Sequence, residues 1–131
     1  MSTRGCYRFT DERDCFTVYK HSDNSPYTKD GGIAAIRKAT AHAWPLPRFE
    51  ADEFAASFVA ANKEAGGGVR LLNTPNKQTL AHMPADIKYL YDVSVRKGGL
   101  WIVVSEIVGS AFSDNRTAKP IAEGSLEWPD R

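Results

Sequence analysis

The sequence predicts an α+β fold, in which an antiparallel β-sheet of four to five strands carries two helices on one face. One pair of strand-like segments with alternating polar and apolar residues lies near the start of the chain, and a second pair begins at Tyr89. Two helix-like segments lie between these pairs. The expected element order is β-β-α-α-β-β-β, in a single domain of residues 1–131.

The first hairpin is predicted from two aromatic segments, Gly5–Thr10 and Cys15–Lys20, joined by a charged turn. Opposing Phe9 with Phe16 across this turn sorts the side chains onto two faces. The turn itself, Asp11–Asp14, is expected only to keep its charges in solvent. The core face is expected to hold Tyr7, Phe9, Phe16 and Val18, and the other face Arg8, Thr17, Tyr19 and His21.

The same register places the only cysteines, Cys6 and Cys15, about four residues apart along the hairpin, roughly 13 Å at the strand rise. Because this separation is too large for a disulfide, we expect free thiols. The first residues contain no apolar leader, and no stretch approaches the roughly 20 apolar residues of a membrane span. We therefore expect a cytoplasmic protein that does not enter a membrane.

Both helices are predicted from apolar residues that recur every three or four positions. The first is expected over Ile33–Trp44, with Asp30 as its N-cap and Pro45 at its end. The second is expected over Glu50–Glu64, and the three glycines at 66–68 end it.

The remaining strands follow the second helix. Val69–Asn73 is short and β-prone, and the last hairpin turns at Lys97–Gly99 between segments of alternating polarity. Beyond Val108 the alternation fades, so residues 110–131 are expected to form a loosely ordered tail or to pack on a partner. With both helices on one side of the sheet, the opposite side is expected to be open for a ligand or for the interface of a homo-oligomer.

The overall charge argues against two kinds of nucleic-acid function. Lysine and arginine number 17 and aspartate and glutamate 16, which leaves a formal charge of +1. A bulk nucleic-acid binder needs a dense cationic surface, and a protein that imitates DNA needs a large excess of carboxylates. A local basic site is compatible with this balance.

The sequence contains no catalytic motif, and we predict no catalytic residue, metal or cofactor. The histidines, His21, His42 and His82, lack the short spacing to other ligands that zinc sites require. Phosphate-loop, dinucleotide-binding and nucleophile-elbow patterns are absent. The chain is therefore expected not to be an enzyme, and a small hydrolase or nuclease that uses His21 with Asp23 is the least favoured alternative.

A set of cationic and aromatic residues is left as the candidate ligand site. The guanidinium fork of arginine suits phosphate, and tyrosine or histidine rings can stack on a base. In this prediction Arg4, Arg8 and Arg96 contact phosphate, while Tyr19 and His21 hold a base or ribose. The alternative is a set of solvated charges on an open sheet face. The predicted ligand-binding residues are Arg4, Arg8, Tyr19, Lys20, His21, Arg96 and Arg116, and Arg70 belongs to the same group of charged residues.

Two patterns in the first half of the chain resemble small proteins encoded by phages and prophages. The first is Thr3-Arg4-Gly5-x-Tyr7-x-Phe9-x-Asp11, and the second is Val18-Tyr19-Lys20-His21-x-Asp23-x-x-Pro26. The segment Ala43–Phe54 is similar to the middle of these proteins. Asn24-Ser25 stands where they commonly have Gly-Tyr within an Asp-Gly-Tyr-Pro turn. The resemblance implies a phage source and carries no catalytic assignment.

Small phage proteins of this size often counter bacterial defence, so the resemblance implies an anti-defence role in a bacterial host. The sharpest form of this hypothesis is a binding protein that sequesters a nucleotide-type immune signal, ADP-ribose-like or a cyclic nucleotide, as Thoeris anti-defence proteins do. The alternative is a protein-interaction module that directly inhibits a host defence protein, in the manner of an anti-CRISPR protein. Its contact surface is expected around Phe112 and Trp128 in the tail.

Overall fold

The computed structural model confirms the α+β class. It describes residues 3–28, 31–46, 48–63, 68–72, 80, 83–97, 99–109 and 116–126. Both helices follow the first hairpin, as predicted. The strands are β1 (Gly5–Thr10), β2 (Cys15–Lys20), β3 (Val69–Leu72), β4 (Tyr89–Arg96), β5 (Gly99–Val108) and β6 (Thr117–Ser125), and the helices are α1 (Gly32–Thr40) and α2 (Ala51–Asn62).

The described strands form one six-stranded sheet in the order β3-β2-β1-β4-β5-β6. Neighbouring strands are antiparallel except β1 and β4, which are parallel. The prediction of an antiparallel sheet with four to five strands is therefore corrected in strand number and in this one pair. The parallel pair arises because the chain passes through β2, both helices and β3 before it returns beside β1.

Both helices pack on one face of the sheet, as predicted, around a core of aromatic rings. The register of the first hairpin is the predicted one, with Phe9 opposite Phe16. The Tyr7 ring centroid lies 4.4 Å from that of Phe58 in α2 and 4.8 Å from that of Tyr91 in β4. Ring pairs of this kind stabilise a core beyond the area that they bury, so β1, β4 and α2 are joined at the centre of the protein.

The face of the sheet opposite the helices, called the far face below, is partly covered by the chain itself. This cover corrects the expectation of an open face. Leu72 and Leu90 alternate onto the far face, where their apolar side chains need to be shielded from water. Met83 and Ile87, in the segment before β4, pack against them and provide this shield. The buried residues of this second cluster are Cys6, Tyr19, Leu72, Met83, Ile87 and Leu90. Both cysteines are free thiols, as predicted.

Part of the predicted tail is a strand of the sheet. Thr117–Ser125 forms β6 and pairs with β5, so the expectation of a loosely ordered tail over 110–131 is corrected for these residues. The alternation of polarity is weak there because most residues of this edge strand are at least partly exposed, and an edge strand tolerates Pro120. Residues 110–115 and 127–131 lie outside the described part of the chain.

The first helix is shorter than predicted. It has Gly31 as its N-cap and ends at Thr40, and the predicted cap, Asp30, lies outside the described residues. Beyond Thr40 the backbone N–H of His42 donates to the Ala39 carbonyl at 3.0 Å, which is the tighter spacing of a final turn. The chain therefore leaves the helix before it reaches Pro45.

Asp11 in the first turn caps helix α2, which is distant in sequence. Its Oδ2 accepts a hydrogen bond from the Ala51 backbone N–H at 2.7 Å, while Oδ1 accepts from those of Arg13 and Asp14, each at 2.7 Å. Glu50, the N-cap residue of the helix, makes no side-chain cap bond. The Asp11 carboxylate therefore ties the hairpin to the helix, a role beyond the solvated turn charge that was predicted.

Replacing Asp11 should lower stability in a pH-dependent way. Although desolvation opposes the shift, hydrogen bonds from the backbone N–H groups of Ala51, Asp14 and Arg13 lower the pKa of the Asp11 carboxyl below its usual value. Its contribution is therefore present above about pH 4 and is lost as pH falls through the folded-state pKa. We expect Asp11→Ala to lower the free energy of unfolding by about 1 kcal/mol at neutral pH.

Urea denaturation at a series of pH values measures this effect. The difference between Asp11→Ala and wild type should shrink as the pH falls below about 4. Glu12→Gln, exposed in the same turn, is the matched control and should leave the free energy of unfolding unchanged. An equal loss at neutral and strongly acidic pH would contradict the role of the ionised carboxylate.

Candidate functional site

The loop after β2 is fixed by Asn24, a fully buried polar side chain. Its Nδ2 donates to the backbone carbonyls of Thr3, at 2.7 Å, and Lys20, at 2.8 Å. The Tyr7 hydroxyl donates to Asn24 Oδ1 at 2.5 Å, and the Tyr91 hydroxyl donates to the Asn24 carbonyl at 2.6 Å. These bonds hold the N-terminal segment beside the end of β2, so the residues that follow Thr3 and Lys20 come together.

Burial keeps both phenols of this network protonated. It raises the pKa of Tyr7 and that of Tyr91 well above the usual value for tyrosine, so each hydroxyl retains the proton that it donates. Gly32 lies so close to Tyr91 that a Cβ atom on it would come within 2.0 Å of the ring. Only glycine fits at this position of α1.

A polar cluster forms where the N-terminal segment meets the end of β2. Arg4, Tyr19, His21, Arg70 and Asp86 are called the Arg4 cluster below. Arg4 Nε lies 2.8 Å from Asp86 Oδ2, and Arg4 Nη2 lies 3.5 Å from His21 Nε2. The Tyr19 hydroxyl lies 3.2 Å from His21 Nδ1 and donates to Asp86 Oδ2 at 3.4 Å. Arg70 Cζ lies over the Tyr19 ring, 5.1 Å from its centroid.

The Arg4 cluster is cationic and reaches solvent. His21 and Arg70 are exposed, and the side chains of Arg4 and Asp86 are 34% and 52% exposed. Two guanidinium groups and one carboxylate leave one positive charge when His21 is neutral. Arginine N–H groups in such a setting can bind an anion.

Tyr19 contributes its hydroxyl to the cluster through its contacts with His21 and Asp86, although the residue as a whole is only 4% exposed. Burial, with the negative charge of Asp86 added, raises the pKa of Tyr19, so the hydroxyl is a neutral donor. A base cannot stack on Tyr19 as predicted, because Arg70 already lies over the ring. His21 is the exposed ring of the cluster.

Arg4 and Arg8 differ in how their carboxylate partners satisfy them. Arg8 Nε and Nη2 donate to the two oxygens of Asp92, at 2.6 and 3.2 Å, in the two-point geometry typical of arginine. Arg4 Nε has the charge contact with Asp86 but no acceptor in hydrogen-bond geometry among the described residues. The Nε and Nη2 groups of Arg8 thus both donate to Asp92, whereas the Nε–H group of Arg4 still lacks an acceptor within the described part of the chain.

Lys20 and Arg96, two further predicted ligand residues, do not join the Arg4 cluster. Lys20 alternates onto the helix face of the sheet, and its Nζ donates to the Ser22 carbonyl at 2.5 Å. Arg96 packs over the Trp101 ring, 4.7 Å from its centroid. It lies at the other end of β4, roughly 26 Å along the strand from the level of Arg4. One phosphate group cannot contact both Arg4 and Arg96.

Arg116 holds the segment before β4. Its guanidinium donates to the carbonyls of Pro84, at 2.9 Å, and Met83, at 3.0 Å, and also to that of Leu80. These bonds give the three backbone carbonyls a side-chain donor. Through them Arg116 positions the segment that carries Asp86.

Asp86 is the member of the Arg4 cluster that sequence reasoning missed. It lies in a polar loop, and nothing near it in the sequence indicates that this loop meets the N-terminal segment. The signal is the parallel pairing of β1 with β4, which sets Gly5 opposite Tyr89 and lets the Lys88 backbone N–H donate to the Arg4 carbonyl at 2.8 Å. That pairing is visible only in the folded chain.

The alternative of a hydrolase or nuclease used His21 with Asp23. In the structure the two ring nitrogens of His21 face Tyr19 and Arg4. Asp23 is exposed, has a positive φ of 63°, and is not a hydrogen-bond partner of His21 among the described residues. The described contacts therefore give this alternative no oriented base.

A cleft lies at the opposite end of the sheet from the Arg4 cluster. It has a volume of about 500 Å³ and lies between the first turn, with Asp11, Glu12 and Arg13, and the start of α2, with Glu50. Two of its carboxylates have partners, since Asp11 caps α2 and Glu50 lies 3.3 Å from Arg48. The excess of acidic side chains makes this cleft unsuitable for a phosphate ligand.

Comparison with models of protein families, with curated proteins and with solved structures finds no match for this chain. Within the described ranges, no three side chains of metal-ligating type converge in a way that could hold a metal ion. In the same part of the chain, no helix has the length and apolar character needed to cross a membrane. Phe112 and Trp128, expected to contact a protein partner, lie outside the described residues. Among the described residues, the Arg4 cluster is the candidate functional site.

Removing the Asn24 side chain should destabilise the fold and separate the segments that form the Arg4 cluster. Asn24→Ala deletes the acceptor of the Tyr7 hydroxyl and the donor to the carbonyls of Thr3 and Lys20. An unsatisfied buried polar group costs roughly 1–3 kcal/mol, so the free energy of unfolding should fall by at least about 2 kcal/mol.

Chemical denaturation of the variant measures this loss. Ser22→Ala, in the same loop, is the matched control and should change the free energy of unfolding by less than about 0.5 kcal/mol. Equal stability of Asn24→Ala and Ser22→Ala would show that the buried amide does not organise this region.

Proposed function

We propose that this chain is a non-enzymatic binding protein that holds a phosphate-bearing, nucleotide-type ligand at the Arg4 cluster. By sequestering an ADP-ribose-like or cyclic nucleotide, it withdraws an immune signal and so counters bacterial defence. The observation that carries the proposal is that two guanidinium groups, those of Arg4 and Arg70, both contact the Tyr19 side chain.

Four members of the cluster, Arg4, Tyr19, His21 and Arg70, have groups that suit such a ligand. Arg4 and Arg70 supply positive charge and several N–H donors, which phosphate oxygens accept. The Tyr19 hydroxyl supplies a neutral donor, and the exposed His21 ring can stack on a base. Because Asn24 fixes the backbone beneath Arg4 and His21, less conformational entropy is lost on binding.

Sequestration requires affinity and no bond-breaking step. Burial raises the pKa of Cys6 to about 12, so its thiol is a poor nucleophile at neutral pH. The raised pKa of Tyr19 likewise keeps its hydroxyl protonated. These protonation states favour binding over nucleophilic catalysis at the far face.

The resemblance of the first half of the chain to small phage proteins supports the anti-defence part of the proposal. Proteins of that kind act inside the infected bacterium, where nucleotide immune signals are produced. The proposed location is therefore the cytoplasm of a bacterial host.

Isothermal titration calorimetry with cyclic ADP-ribose isomers, ADP-ribose and cyclic oligonucleotides tests the proposal. At least one of them should bind the wild-type protein, and Arg4→Ala should weaken that binding by about ten-fold or more, since it removes charge-assisted hydrogen bonds. Higher salt should weaken the binding because the attraction is partly between exposed charges.

Arg13→Ala provides the matched control. Arg13 is exposed in the turn at the opposite end of the sheet, so its removal changes the net charge equally without touching the Arg4 cluster. The Arg13→Ala variant should bind the nucleotide with the same affinity as wild type. Absence of heat for every nucleotide tested, at protein concentrations suited to micromolar binding, would refute the proposed function.

A further inference from the structure

We infer that Asp86 is an internal competitor for the ligand anion at the Arg4 cluster, and that the cluster therefore selects ligands with a diphosphate group over those with one phosphate. The inference rests on the proposed function and assigns a ligand class to the same site.

Asp86 occupies the place that a phosphate oxygen takes beside an arginine. Its Oδ2 lies 2.8 Å from Arg4 Nε and accepts the Tyr19 hydroxyl at 3.4 Å. One carboxylate oxygen thus engages two of the groups that a ligand needs. The Arg4 contact has the distance of a charge-assisted hydrogen bond but not its direction, so the pair is poorly formed.

The Asp86 side chain can leave Arg4 without a change in the fold. It is 52% exposed, and the segment that carries it belongs to no strand or helix. The backbone around it is anchored, since Ile87 is buried and the Lys88 N–H donates to the Arg4 carbonyl at 2.8 Å. Rotation of the side chain alone therefore moves the carboxylate to solvent, and exposed ion pairs resist such rotation weakly.

The second arginine–carboxylate pair on the far face shows the contrast. Arg8 and Asp92 form two hydrogen bonds, at 2.6 and 3.2 Å, and their side chains are 27% and 32% exposed. A pair that is satisfied at both oxygens and is less exposed has little tendency to exchange partners. The carboxylate that a ligand anion displaces is therefore assigned as that of Asp86 and not that of Asp92.

Competition with Asp86 sets the charge that a ligand must carry. A single phosphate that displaces the Asp86 carboxylate exchanges one anion for another, so the net gain in binding free energy is small. A diphosphate offers two adjacent anionic groups, which can engage Arg4 and Arg70 together once Asp86 has turned away. The cluster then presents two positive charges to two phosphoryl groups.

Calorimetry with inorganic phosphate and pyrophosphate, on wild type and on Asp86→Asn, tests the inference. Wild type should bind pyrophosphate at least about ten-fold more tightly than phosphate. Asp86→Asn should bind phosphate roughly three- to ten-fold more tightly than wild type does. The ratio of its affinity for pyrophosphate to its affinity for phosphate should therefore be smaller than that of wild type. Asp14→Asn, the same substitution in the exposed first turn, is the control and should behave as wild type.

Nuclear magnetic resonance of the wild-type protein gives a second readout. The Arg4 Nε–H resonance should move when pyrophosphate is added, because the donor exchanges Asp86 for a phosphate oxygen. Phosphate affinity that is unchanged or weaker in Asp86→Asn, wild-type protein that binds phosphate as tightly as pyrophosphate, or an Arg4 resonance that stays in place while pyrophosphate binds, overturns the inference and leaves the proposed function standing. Absence of binding to both proteins, for these probes and for the nucleotides, overturns the inference and the proposed function together.

Discussion

The buried amide of Asn24 is the interaction on which the rest of the structure depends. It lies where the N-terminal segment, β1, the end of β2 and β4 meet. The amide bonds to the first three of these, and the Asn24 backbone carbonyl accepts from Tyr91 of β4. A buried amide is costly without partners, and each partner here is buried with it or is a backbone group that needs a donor. The Arg4 cluster therefore takes its geometry from a core residue, although its own contacts are at the surface.

This junction accounts for several residues of the motif Thr3-Arg4-Gly5-x-Tyr7-x-Phe9-x-Asp11. A Cβ atom at Gly5 would lie 2.9 Å from the Asn24 side chain, so the junction requires glycine there. Arg4, which is partly exposed, belongs to this motif, and His21, which is exposed, belongs to the second pattern; the fold alone does not require them. They are the pattern residues that a ligand can reach. The positions with roles inside the fold are Gly5, Tyr7, Phe9 and Asp11.

Sequence patterns predicted the features that depend on neighbours along the chain. The register of Phe9 with Phe16, the free thiols and the second helix all follow from alternation or helical spacing. The parallel β1–β4 pair, the cover of the far face and the position of Asp86 depend on contacts between distant segments, which one sequence does not reveal. The strand Thr117–Ser125 was missed because an edge strand lacks the buried face that produces alternation. The candidate site was predictable only in part for the same reason. Arg4, Tyr19 and His21 lie on or beside one hairpin, whereas Arg70 comes from β3 and Asp86 from the segment before β4.

The pairing of each arginine, more than the net charge, decides which of them can recognise a ligand. Arg8 and Arg116 donate to fixed acceptors, so their charge stabilises the fold and losing a partner leaves a partly buried cation unsatisfied. Arg4 has a partner that is exposed and poorly aligned, so exchanging that partner for a ligand costs little. Two guanidinium groups with no carboxylate nearby would repel each other before a ligand arrives. A weakly held Asp86 reduces that repulsion in the free protein, and in the proposed function it makes ligand affinity depend on how strongly an anion competes with its carboxylate.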